Sequence, residues 1–120
     1  MGNIKIAMNG DKKLIAYGTE EKVNYTDFAE IKRRTSRVSR IELLAEEASE
    51  LAAAASKYAR ILRDENPTPV NEETAWKKLL EEYSDVIGVA QTLIIEPSYP
   101  LIYEKYHRWA KRLEDKEKGD

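Results

Sequence analysis

Beyond residue 26 the apolar positions of this chain recur at alternating intervals of three and four, which places them on one face of successive α-helices. The clearest run is Ile41, Leu44, Ala48, Leu51, Ala55, Tyr58 and Leu62, a seam on helical period whose small alanines permit close approach of a second helix. A second run joins Trp76, Leu79, Leu80, Tyr83, Val86, Ile87, Ala90, Leu93 and Ile94. A third carries Tyr103, Tyr106, Trp109, Ala110 and Leu113.

The punctuation between these runs sets their ends. Thr26 is placed to cap a short helix through Phe28, Ile31 and Lys32 towards Thr35. Ser39-Arg40-Ile41-Glu42 has the form of a capping box, so the main helix is expected to start there and run to about Arg63. Asn66-Pro67-Thr68-Pro69 ends it, because proline lacks an N–H and disfavours α geometry in the residue before it. Asn71 then caps a helix that should reach about Ile95, with Glu72 and Glu73 favourably placed at its positive end. Pro97-Ser98-Tyr99-Pro100 breaks the chain again before a last helix from about Tyr99, frayed beyond Glu114. At the start of the chain, Ile4 to Met8, Asn9-Gly10-Asp11 and Leu14 to Tyr17 read as a short hairpin. Two strands alone are marginal in water, so this ribbon needs the helices or another chain to lie on. The expected architecture is all-α: one domain over residues 1–120, four-helix-bundle-like, with two long antiparallel helices behind a 24-residue extension.

Charge changes the picture in one respect. Glu47 falls roughly 70° from the main seam and Glu50 roughly 130°, on an arc that also carries Leu43, Ala54 and Ile61. Glu82 and Asp85 stand at a similar angle to the seam of the second long helix. Each motif alone reads as a solvated face, but two motifs in matching phase, on helices joined by a short loop, can bring four carboxylates together. Such a group cannot stay ionised without cations, and a site of oxygens alone selects a hard ion, Mg²⁺ or Mn²⁺.

The totals exclude other chemistry. At 120 residues the chain is long enough for one modest core. It has no cysteine and a single histidine, His107, which removes disulfides, thiol catalysis and sites that need two imidazoles. With 22 acidic against 20 basic residues there is no global field for nucleic acid, and Lys32-Arg33-Arg34 with Arg37 and Arg40 is too short a cluster to supply one. No apolar stretch is long enough for a membrane span and no targeting signal is visible, so a soluble, cytoplasmic protein is expected.

Glu46-Glu47-Ala48-Ser49-Glu50 followed by Glu82-Tyr83-Ser84-Asp85 resembles the EExxE and ExxD signature of the MazG-like, all-α nucleoside triphosphate pyrophosphohydrolases, over roughly residues 39–113. The chain departs from that pattern at Ser84 and in its proline-rich insert. The resemblance implies hydrolysis of a nucleoside triphosphate to a monophosphate and pyrophosphate, with Mg²⁺ held by Glu47, Glu50, Glu82 and Asp85. Glu46 would bind a further ion or accept the proton of the attacking water. Lys105-Tyr106-His107-Arg108 is similar to the family's basic pattern on its last helix. Lys105 and Arg108, with Lys57, are therefore the candidates for phosphate oxygens, although most such side chains are ordinary surface groups. Trp76, Tyr83 and Trp109 are candidates for a base-stacking wall, and aromatics at this spacing are more often core. A homodimer or homotetramer is expected both from the apolar faces and from the resemblance. Two other readings compete: a non-catalytic helical oligomerisation module, and a phosphohydrolase of another nucleotide such as a phosphoribosyl nucleotide.

Overall fold

A computed structural model describes residues 25–65 and 70–119. The expected hairpin and the prolines Pro67 and Pro69 lie outside the described residues. What is described is all-α: helix α1 covers Tyr25–Arg34, α2 Arg37–Leu62, α3 Glu72–Thr92 and α4 Tyr99–Glu117, with no strand among the described residues. None of these helices is long and apolar enough to cross a membrane. The chain divides into two compact units, residues 1–34 and 35–120.

In the first unit α1 already includes Tyr25, one residue ahead of the expected cap. Its basic last turn is held by Glu30, which accepts two hydrogen bonds from Arg33 (3.0 and 2.9 Å) and one from Arg34 (2.6 Å). These guanidinium bonds hold the Glu30 carboxyl below its ordinary range. Two cations of the short basic cluster are thus engaged within their own helix.

In the second unit α2 begins a turn's fraction earlier than the Ser39 box implies. Ser36 is the cap: its Oγ accepts from the Ser39 backbone N–H at 3.0 Å, and Ser39 donates its own hydroxyl back to the Ser36 carbonyl at 2.9 Å. Two serines three apart compete for the same role, and the earlier one satisfies the helix while the later one sits in the first turn. Asn71 caps α3 as expected, accepting from Thr74 N–H at 2.8 Å, and Ser98 caps α4 through Leu101 N–H at 3.3 Å. Pro100 falls in the first turn of α4, where a missing N–H costs nothing.

Helices α2 and α3 end in the same way. Asp64 donates its N–H to Ile61 and Glu65 to Arg60; Ile94 donates to Gln91 and Ile95 to Ala90. These are paired bonds of the Schellman type, with Asp64 and Ile94 both at φ 58°. Aspartate tolerates that left-handed geometry, whereas a β-branched isoleucine is strained in it. This stop ends α3 at Thr92, three residues short of the expected Ile95.

Extensive packing among the described helices is between α2 and α3. Tyr58 stands against Trp76 and Glu72, whereas Glu47, eleven residues earlier on α2, meets Glu82 and Asp85 further along α3, so the pair is antiparallel. The less exposed positions of α2 include Leu44, Glu47, Leu51, Ala54, Tyr58 and Ile61; those of α3 and its C-cap include Ala75, Leu79, Glu82, Val86, Val89 and Leu93. Both series run in steps of three and four, the spacing of two helices packed along a common seam.

This seam differs from the expected one. It shares Leu44, Leu51 and Tyr58 with the predicted stripe of α2 but takes Glu47, Ala54 and Ile61 in place of Ala48, Ala55 and Leu62. Helix α2 is apolar on two adjoining stripes, and only one of them faces α3. The second stripe, with Ile41, Ala48, Ala55 and Leu62, is exposed. On α3 the exposed counterpart is Trp76, Leu80, Tyr83, Ile87 and Ile94, and α4, which contains no buried residue, exposes Tyr99, Tyr103, Tyr106, Trp109 and Leu113.

Because Ile94 is 66% exposed and in the left-handed region, Ile94→Gly should raise the unfolding free energy by about 1 kcal/mol in urea denaturation. A loss of stability would show that the isoleucine side chain has a packing role that outweighs its backbone strain.

Candidate metal centre

Within the α2–α3 seam, two positions that the spacing reserves for apolar residues are filled by glutamates. Glu47 is half-buried and Glu82 only 5% exposed. Asp85, one turn beyond Glu82, lies on the same side of α3 and is exposed. Carboxylate oxygens of Glu47, Glu82 and Asp85 lie within 4.8 Å of one another.

The hydrogen bonding of this group is incomplete. Oε2 of Glu82 accepts from the Lys78 ammonium at 2.8 Å, one turn earlier on α3. Oε1 of Glu82 and Oε1 of Glu47 are both buried and have no hydrogen-bond partner. Unpartnered buried carboxylate oxygens are costly and rare, so two of them on neighbouring acids need an explanation. Burial raises the Glu47 carboxyl above its ordinary pKa, and the negative charges of Glu50, Asp85, Glu82 and Glu46 raise it further. Lys78 is displaced upward by its hydrogen bond to Glu82 and then by the charges of Glu81 and Glu82.

The donor set fits a hard divalent cation. All the atoms of the group are carboxylate oxygens, and oxygens on opposite sides of an ion bound at about 2.1 Å stand about 4.2 Å apart, a separation allowed by the 4.8 Å within which these atoms lie. Glu47 and Glu82 would supply their unpartnered oxygens and Asp85 a third from the rim.

The other predicted site residues are placed less centrally. Glu50 is exposed and outside the group of three, though its charge acts on both Glu47 and Lys78. Glu46 is exposed and acts on Glu47 only through its charge. Lys57 is exposed on α2. On α4, Lys105 lies over the Trp109 ring at 5.4 Å, and Arg108 lines a shallow hollow with Tyr103, Glu104 and His107 of its own helix. No hydrogen bond or ion pair among the described residues joins Lys57, Lys105 or Arg108 to the acidic group. Of the aromatic candidates, Trp76 packs against Tyr58 with ring centroids 5.5 Å apart, beside an open hollow that Glu72 and Glu73 complete. It stands six residues, or about 9 Å of helix axis, before Glu82.

Lys78 is the member that sequence reasoning misses. Its only signal is a Lys-x-x-x-Glu spacing, which is common on solvated helix faces and so does not stand out. Comparison with models of protein families, with curated proteins and with solved structures gave no match, so the reading of this centre rests on its own geometry.

A raised carboxyl pKa means that the folded chain binds a proton more tightly than the unfolded chain does. Glu47 therefore makes the metal-free fold lose stability as pH rises from 4.5 through its raised value, since the native state then holds more protons than the unfolded state. Glu47→Gln removes that term. Thermal melts with chelator present should show a flatter decline above pH 4.5 and a higher melting temperature at neutral pH in the variant; an unchanged profile would mean that Glu47 is not under the strain described.

Proposed function

We propose that the chain hydrolyses a nucleoside triphosphate to a nucleoside monophosphate and pyrophosphate, with Mg²⁺ or Mn²⁺ held between α2 and α3. The observation that carries this reading is the pair of unpartnered, buried carboxylate oxygens on Glu47 and Glu82 beside Asp85. A purely structural seam would place apolar residues at these positions, because like charges facing each other in a low-dielectric seam oppose packing. The resemblance of the two acidic motifs to the MazG-like signature supports the same reading and supplies the substrate class.

A bound divalent cation would neutralise phosphate charge and acidify the attacking water. Around it the chain's own groups have separate tasks. Glu47 and Glu82 are anchored by packing on two helices and fix the position of the site, Asp85 offers a third oxygen from its exposed side, and Glu50 is proposed as a fourth acid. Water adds to the α-phosphorus in line with the bond to the bridging oxygen; that bond breaks and pyrophosphate leaves with the electron pair. Trp76 and Tyr58, on the same helix pair, offer a face on which a base can stack. Lys105, Arg108 and Lys57 remain the residues proposed for phosphate oxygens, the first two arriving with α4 when chains associate.

Association is proposed on its own observation. Apolar stripes on α2, α3 and α4 are exposed together, more than a soluble single chain ordinarily leaves open, and a two-fold copy would cover them. The oligomerisation module is the second reading this favours, and metal binding separates the two.

Incubation with a panel of nucleoside triphosphates and Mg²⁺ should release pyrophosphate, and chelator should abolish the release. Glu47→Gln and Asp85→Asn should lower it by orders of magnitude while keeping wild-type helicity by circular dichroism. Wild-type rates in either variant would refute the site. Light scattering should show a dimer or tetramer at micromolar concentration, and a monodisperse monomer would remove the association.

A further inference from the structure

Lys78 is positioned unlike Lys77, the other lysine of α3. Lys77 pairs with Glu73 at 3.7 Å, with both side chains largely exposed. Lys78 is also largely exposed along its stem, but its ammonium reaches Glu82, whose side chain is only 7% exposed, and bonds one of that carboxylate's two oxygens at 2.8 Å. It approaches Glu81 at 3.9 Å as well, and the charge of Glu50 acts on it from α2. The ammonium thus engages one oxygen of the acidic group, while Oε1 of Glu47 and Oε1 of Glu82 are without partners.

We propose that Lys78 is an internal counter-cation of the acidic centre, one that neutralises Glu82 while the centre is free of metal and whose charge opposes a divalent ion on the same carboxylate. The inference rests on the metal-site reading above and adds to it a residue that sets how tightly the site is filled. The physical basis is simple. A lysine ammonium is a compact point charge on a flexible stem, so it can neutralise one carboxylate and still be withdrawn into solvent. While Lys78 holds Oε2, Glu82 has lost part of its negative charge and one lone-pair direction. A divalent ion on Oε1 would stand beside the ammonium on Oε2, and either their repulsion or the withdrawal of Lys78 into solvent opposes binding. An ordinary ligand-supporting residue has the opposite effect, since its removal weakens the site. The sign of the change is therefore diagnostic.

The test is calorimetric titration of the full chain with MnCl₂ alone, without nucleotide, for the wild type, Lys78→Met, Lys78→Gln and Lys77→Met. Lys78→Gln retains a donor for Glu82 without the charge and so guards against a variant that fails to fold; helicity is checked for each. Lys78→Met and Lys78→Gln should bind Mn²⁺ about tenfold more tightly than the wild type, and Lys77→Met should match the wild type. Equal or weaker binding in folded Lys78 variants would overturn the inference and leave the metal site standing. Equal tightening in Lys77→Met would overturn it too, by tracing the effect to net charge. Absence of saturable binding in all four proteins would end the metal site and this inference together.

Discussion

Two glutamates facing each other across an apolar helix seam are the constraint around which the second unit is organised. Helices α2 and α3 meet along positions spaced for close apolar packing, and Glu47 and Glu82 occupy two of those positions where the spacing calls for a leucine or an alanine. Their carboxylates repel, their surroundings do not solvate them fully, and one oxygen on each has no hydrogen-bond donor. The chain meets this conflict only in part, with a lysine one turn away. A seam built for stability alone would not contain such a conflict, and the metal-binding proposal rests on it.

The all-α class, the helix count beyond residue 25 and most helix boundaries were legible because they depend on local chemistry. Asn71 and Ser98 cap because their side chains reach the free N–H groups three residues on, and that requirement is visible in the sequence. The start of α2 was less legible, since Ser36 and Ser39 both satisfy the rule and only the neighbouring backbone chooses between them. The end of α3 was hidden because isoleucine at a left-handed position contradicts local preference, so nothing in the residue itself announces the stop.

The centre shows the same division between local and tertiary information. Convergence of Glu47 with Glu82 and Asp85 followed from matching phase on two helices joined by a short loop, and the antiparallel pairing brings those three together. What spacing could not decide was which of two adjoining apolar stripes on α2 would face α3. The alanine-rich surface permits either, and the choice made places Glu47 within the seam and leaves Glu50 at its edge. It also leaves the stripe of Ile41, Ala48, Ala55 and Leu62 exposed, as the aromatic stripe of α4 is, and so links the identity of the buried acid to the apolar surface left open.

The buried acids also act as an alignment key. Two helices with uniformly apolar seams can slide past one another by one heptad and still find leucine opposite alanine, so their alignment is weakly determined. Here a slip of α2 along α3 by seven residues would separate Glu47 from Glu82 and place Glu47 opposite Val89 or Ala75, with Asp85 too far away to share a ligand. Only one alignment lets all three oxygens surround a common point. Whatever cation that point receives would therefore select among the ways the hairpin can close, and the cost of placing charge in the seam is offset by a fold that has one register instead of several.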